Sequence, residues 1–183
     1  MAAGRVRLAH PFPPVWDSES RVLILGSFPS VKSRQEGFYY ANPRNRFWPM
    51  LEAIYSTSLS DTEGKKAFLL EHHIALWDSI ASCSIIGSAD STIEDAVAND
   101  IAMVTRGSKV ERIITNGATS HRVYQRFIKP ALGIEDICLP STSPANAAFS
   151  LERLIGLWRD FLPQSGEAAD STGQGLLRLF HEG

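Results

Sequence analysis

Four short apolar runs constrain this chain more than any other feature. They are RVLILG (residues 21–26), Ile74–Trp77, Val110–Thr115 and Ile134–Leu139, and stretches of helical spacing separate them. Apolar runs this short, with no polar alternation, read as strands buried on both faces. Strands that alternate with helices pair in parallel, because each crossover returns the chain to the same end of the sheet. The helical stretches are Arg46–Tyr55, with Phe47, Met50, Leu51 and Ile54 on one face, then Thr62–His72, then Ser91–Arg106 behind a Ser91-x-x-Glu94 capping pattern. Thr119–Lys129, stopped by Pro130, and Ala147–Leu162 complete the set. The fold class expected is α/β, a single domain with a mostly parallel sheet covered by helices on both faces. Residues 1–20 form an irregular, Pro-rich arm, and 163–183 a tail with a helical turn or two at Gly175–His181. Parallel sheets hold ligands beyond the carboxyl ends of their strands. The loops after Leu25, Trp77, Thr115 and Leu139 are therefore where function is expected.

Composition removes several classes. A hydrophobic fraction of 44% with 21% charged residues is globular, not disordered or fibrous. No apolar run approaches the roughly 18 residues of a membrane span, and the start lacks a secretory h-region. Two cysteines, Cys83 and Cys138, cannot build a disulfide framework or a four-cysteine metal site, so a reducing cytoplasm is the expected address. His10, His72, His73, His121 and His181 show no metal-ligand spacing, and no metal or cofactor is expected. Walker, GxGxxG and GxSxG motifs are absent too. The net charge of −2 conceals a pattern. Residues 1–50 and 101–130 are net basic, while 51–100 and 131–183 are net acidic. Basic blocks that meet in space would make one positive face; otherwise they are scattered solvated charge.

The unusual residues fall in the predicted loops. Gly26-Ser27-Phe28-Pro29-Ser30 is a tight turn whose backbone N–H groups can face a ligand. Gly37–Trp48 (GFYYANPRNRFW) holds three adjacent aromatics that one core cannot all bury, which leaves a stacking platform at Tyr39-Tyr40. Asn42 and Asn45 can orient a water or contact a base edge, or Asn45 can cap the next helix. Arg44 and Arg46 can reach phosphates, while Phe47 and Trp48 read as core. Asp78 either faces the cleft or caps a turn, and Asn116 reads as a helix cap. The Pro140–Asn146 loop (PSTSPAN) suits phosphate contacts or helix capping.

The stretches LILGSFPS, GFYYANPRNRFWPML, ALWDSIASCSIIGSADSTI, IITNG and LPSTSPANA, in this order between residue 22 and about residue 162, resemble the uracil-DNA glycosylase superfamily. The specific match is to its hypoxanthine-DNA (deoxyinosine) glycosylase branch, and the second stretch is similar also to mismatch-specific uracil glycosylases. The resemblance implies a three-layer α/β/α sandwich with a short four-stranded parallel sheet. It implies a monofunctional enzyme that flips a deaminated base out of DNA and hydrolyses its N-glycosidic bond. Many superfamily members keep a water-activating Asp or Asn where this chain has Phe28. In the hypoxanthine branch an Asn of the aromatic loop takes that role, here Asn45 first and Asn42 second. Ser27, Phe28, Tyr40, Asp78 and Asn116 would surround the base. Ser30, Lys32, Arg44, Ser141, Ser143, Pro144, Ala145 and Asn146 would meet the DNA, with Ala145 and Asn146 at the wedge position. A histidine of the last motif is absent, which argues against strong uracil excision. The partner expected is DNA carrying a deaminated base, with no membrane, no obligate protein partner and a monomeric state. The alternatives are a uracil-excising mismatch-type enzyme and a non-catalytic binder of damaged or single-stranded DNA.

Overall fold

A computed structural model describes residues 4–164. In chain order its elements are β1 (Val6–Ala9), β2 (Val22–Gly26), α1 (Val31–Glu36), α2 (Phe47–Tyr55), α3 (Thr62–Glu71), β3 (Ile74–Asp78), β4 (Ile80–Ile85) and β5 (Glu94–Ala98). There follow α4 (Ile101–Gly107), β6 (Arg112–Asn116), α5 (Ala118–Val123), α6 (Lys129–Leu132), β7 (Asp136–Leu139) and α7 (Leu151–Trp158). The four expected strands make one parallel sheet in the order β3-β2-β6-β7. Its central strand β2 is buried throughout, with Leu23, Ile24 and Leu25 fully inaccessible. Each such side chain stabilises the fold by roughly 1.5–3 kcal/mol relative to exposure. Helices flank the sheet: α2 packs on α7, and α5 on β6 and β7.

A second sheet was not expected. Strands β1, β4 and β5 pair antiparallel in the order β1-β4-β5. It has its own small core of Phe28, Ile80, Cys83, Ile85 and Val123. The Pro-rich arm is thus partly a strand, and it returns through Val15, which bridges Leu76. The predicted helix over Ser91–Arg106 is corrected. The segment opens with a 3-10 turn at Asp90–Thr92, continues as the edge strand β5, and becomes α-helical only at Ile101–Gly107. Pairing with β4 outweighs the local capping signal, and the exposed Glu94 and Asp95 keep this edge from joining further strands.

Two helix ends also move. Pro130 does not stop the fourth helical stretch. After α5 the chain makes a π-turn at Tyr124–Ile128, and Pro130 sits in the first turn of α6, where its missing N–H costs little. Gly133, at φ 74°, ends the helix instead. The last helix begins only at Leu151, with the Ser150 hydroxyl accepting from the Arg153 N–H. The helical turn expected at Gly175–His181 lies outside the described residues. Among the described residues no helix is long and apolar enough to cross a membrane.

Candidate active site

The carboxyl ends of β2, β3, β6 and β7 open onto one cavity of about 480 Å³. It is walled by the Gly26–Ser30 turn, Tyr39 and Tyr40, Asn45, Asp78, the Ser88–Ser91 loop, Asn116–Thr119 and the Ser141–Asn146 loop. Buried hydroxyls lock the floor. Ser120 Oγ lies 2.9 Å from the Leu25 carbonyl and 2.7 Å from Ser79 Oγ, joining α5 to the ends of β2 and β3.

The aromatic loop does not expose a platform, contrary to expectation. Phe38 and Tyr39 are both buried. The N-terminal arm makes this possible: Phe12 packs edge-on against Tyr39 at 4.7 Å, and the Tyr39 hydroxyl donates to the Pro13 carbonyl. Tyr40 adopts a left-handed backbone, φ 53°, a strained state for a bulky residue that persists where its surroundings over-determine it. Its ring stacks on Phe47 at 4.1 Å, and its hydroxyl accepts from Asn116 Nδ2 at 3.1 Å. Burial, then the Asp78 charge, hold the phenol protonated well above its ordinary range.

The two candidate asparagines separate. Asn45 lines the cavity, and its Oδ1 accepts the Phe47 N–H at 2.9 Å, which fixes the amide while leaving a second lone pair. Asn42 turns its Oδ1 to the Arg44 N–H and does not line the cavity. Asn116 does not cap α5 by its side chain. Its Nδ2 donates to Thr142 Oγ1 and its Oδ1 accepts from the Thr142 N–H, so it clamps the last loop to β6. The clamp is close, since a Cβ on Gly117 would lie 2.8 Å from Ser141 Cβ.

Arg46 does not reach out to phosphates. Its guanidinium donates to the carbonyls of Thr142 (3.3 Å), Ser143 (2.7 Å), Asn146 (3.0 Å) and Phe149. It therefore pins the Ser141–Asn146 loop, which folds on its own turns: Ser141 Oγ accepts the Ser143 N–H, and Asn146 Nδ2 donates to the Ser141 carbonyl. Of the DNA-contact candidates, Ser30, Ser141, Ser143, Ala145 and Asn146 line the cavity. Lys32, Arg44 and Pro144 do not, and Lys32 is paired with Glu36 at 2.7 Å.

Two acids face this space. Ser27 Oγ donates to Asp90 Oδ2 at 2.6 Å. Burial pushes the Asp90 carboxyl up, the Ser27 hydrogen bond opposes this, and the Asp78 charge adds to the rise. Asp78 Oδ2 lies 2.7 Å from His10 Nε2, and both side chains are 5% exposed. Sequence reasoning missed Asp90, Thr142 and His10. An acid inside a Gly/Ser loop (GSADS) was a signal for Asp90, whereas nothing local marks His10, which meets its partner 68 positions away.

A short parallel sheet with a polar, aromatic-lined cavity at its carboxyl edge, large enough for one planar base, defines a base-pocket α/β protein. The chain belongs to the uracil DNA glycosylase superfamily, whose family model matches residues 13–162. It is 35% identical over 144 residues to a hypoxanthine DNA glycosylase from Methanosarcina acetivorans, covering 78% of this chain and 90% of that protein. It is 31% identical over 138 residues to a hypoxanthine DNA glycosylase from Methanosarcina barkeri, covering 74% and 86%. A solution NMR structure from M. acetivorans, described as a candidate uracil DNA glycosylase, superposes with a TM-score of 0.68 at 34% identity, covering 81% of this chain and 95% of that one. The four-stranded parallel sheet flanked by helices is thus the superfamily's own fold.

Proposed function

We propose that this protein is a monofunctional DNA glycosylase that flips deoxyinosine out of DNA and hydrolyses its N-glycosidic bond, releasing hypoxanthine. One observation carries the reading: a cavity at the carboxyl edge has the Asn45 amide in its wall and a phenyl ring, Phe28, in the turn after β2. The two relatives named hypoxanthine DNA glycosylases support the choice of base.

Breaking the bond leaves an oxocarbenium-like sugar beside an electron-rich base. That cation is electrophilic enough for a neutral amide to suffice, provided the water is held in place. Asn45 Oδ1, already anchored by the Phe47 N–H, has a lone pair for that water. Tyr40, Ser27 and Asp78 flank the base, and the pinned Ser141–Asn146 loop meets the strand from which it came. Inosine pairs poorly, so flipping it costs less than flipping a normal purine. The exposed Cys138 and buried Cys83 are free thiols, in keeping with a reducing cytoplasm. A monomer without obligate partners suits an enzyme that scans DNA.

End-labelled duplexes with one inosine, one uracil or no lesion, treated with protein and then alkali, test this directly. Cleavage at inosine with little at uracil is expected. Strong cleavage at uracil would favour the mismatch-type enzyme, and binding without cleavage would favour a non-catalytic module. Asn45→Ala should lower single-turnover excision by about 10²-fold or more, the scale of one well-placed polar group. Full activity in that variant would remove Asn45 from the role.

A further inference from the structure

His10 and Asp78 together hold a proton that the water-positioning amide does not account for. The imidazole has acceptors at both nitrogens: Nδ1 is 2.8 Å from the Phe12 carbonyl, and Nε2 is 2.7 Å from Asp78 Oδ2. A carbonyl oxygen can only accept, so Nδ1 carries a hydrogen. A ring neutral in that tautomer has a lone pair on Nε2, which cannot sit 2.7 Å from an ionised carboxylate without a hydrogen between them. One further proton therefore lies between His10 and Asp78, as an imidazolium–carboxylate pair or as a neutral ring with a carboxylic acid. Asp78 Oδ1 points the other way. A Cβ built on Gly26 would lie 2.3 Å from it and 2.9 Å from the Tyr40 hydroxyl, so it stands at the cavity floor. Among the described residues Oδ1 takes no hydrogen bond.

We propose that Asp78 delivers this proton to the leaving purine, with His10 as the positioning residue that loads it. The proposal rests on the reading of the protein as a purine-excising glycosylase. The bond between C1′ and the base breaks with its electron pair going to the base. The proton passes from the pair, by a turn of the carboxyl or through one pocket water, to a ring nitrogen of the purine, which departs neutral. Water adds to C1′ and gives a proton to solvent, and solvent returns one to the pair. A purine leaving as an anion is the costlier course, and general acids of this kind contribute about 10²- to 10⁴-fold.

The protonated pair is the active form, so activity is present at low pH and lost as pH rises through the pair's ionisation. The titratable groups facing it are Tyr39 and Tyr40 from the aromatic loop and Asp90 from the Ser88–Ser91 loop, with Arg122 of α5 acting on Asp90. Phe12 and Phe28 flank the imidazole as uncharged walls.

The test is the pH profile of single-turnover inosine excision in wild type, His10→Gln, His10→Ala and Asp90→Asn, alongside ¹⁵N NMR of histidine-labelled wild-type and Asp78→Asn protein. His10→Gln can still donate to Asp78 but carries no titrating proton. In both His10 variants the high-pH fall in rate should begin at lower pH than in wild type, with a rate loss of about 10-fold or more at neutral pH. A His10→Gln profile that matches wild type, or a limb that follows Asp90→Asn instead, overturns the proposal. The NMR arm does not depend on catalysis or on the stability of the His10 variants. A hydrogen on His10 Nδ1 in wild type, with the ring turned into a single neutral tautomer by Asp78→Asn, supports the shared proton. A neutral ring protonated at Nε2 in wild type overturns it. Absence of any inosine excision would reject the functional reading, while the NMR result would still decide whether the pair holds its proton.

Discussion

Gly26 ends β2 where the cavity floor is tightest. Asp78 Oδ1 lies 2.3 Å from where a Cβ on Gly26 would stand, so an added methyl forces the carboxyl, held at Oδ2 by His10, to shift. Gly26→Ala should lower excision by more than about 10-fold, with a destabilisation of about 1–3 kcal/mol typical of overpacking. Single-turnover rates with a thermal melt would check both, and a wild-type rate would mean that the base does not approach this floor. Single residues were unevenly legible in the sequence. Asn45 and Tyr40 sit in a local motif with a clear chemical meaning, and both line the cavity. Asn42 and Asn45 could not be separated, because the difference is where a turn aims two chemically equal amides. Arg46 looked like a phosphate contact because nothing nearby in sequence shows the carbonyls it serves, which lie about a hundred residues on.

The parallel strands were readable because burial on both faces leaves a continuous apolar run. Those of the small antiparallel sheet were not: β5 is an edge with a charged pair at its start, and β4 follows β3 after one residue, Ser79. Helix limits failed where backbone geometry departs from the α form, at the π-turn before α6. The link between β7 and α5 carries its own electrostatic signature. Asp136 accepts from Thr115 Oγ1, Gln125 Nε2 and His121 Nδ1 at 2.6–2.7 Å. Burial alone would raise its carboxyl, but these hydrogen bonds outweigh it and hold it below the ordinary carboxylate value. A depressed carboxyl stabilises the folded state above its unfolded value of about 3.9, and that contribution fades as pH falls through the folded value. Asp136→Asn should therefore cost about 1–3 kcal/mol at neutral pH and progressively less below pH ~4. Urea titrations at both pH values measure this; an equal loss at both would assign the effect to packing.

At the scale of the whole molecule, some cations of the basic blocks pair with acids among the described residues. Arg5 pairs with Glu94, Lys109 with Glu19 and Lys129 with Glu135, so the alternation in sequence partly cancels in space. Arg44, exposed and next in sequence to the cavity-lining Asn45, has no ion pair among the described residues. Arg44→Ala should weaken binding to all duplexes alike and reduce the salt slope of log K by about 1, read from affinities at several salt concentrations. An unchanged slope would place the phosphate contacts elsewhere.

The Arg46 clamp closes the cavity with carbonyls 96 to 103 residues further along the chain. On the ribosome, at roughly 5–20 residues per second, that gap is on the order of ten seconds of synthesis. Until Thr142 to Phe149 emerge, the Arg46 guanidinium and the Asn116 amide have no loop to hold. A nascent chain can therefore order its central strands while its pocket still lacks a wall, and competence to act on a base arrives late in translation.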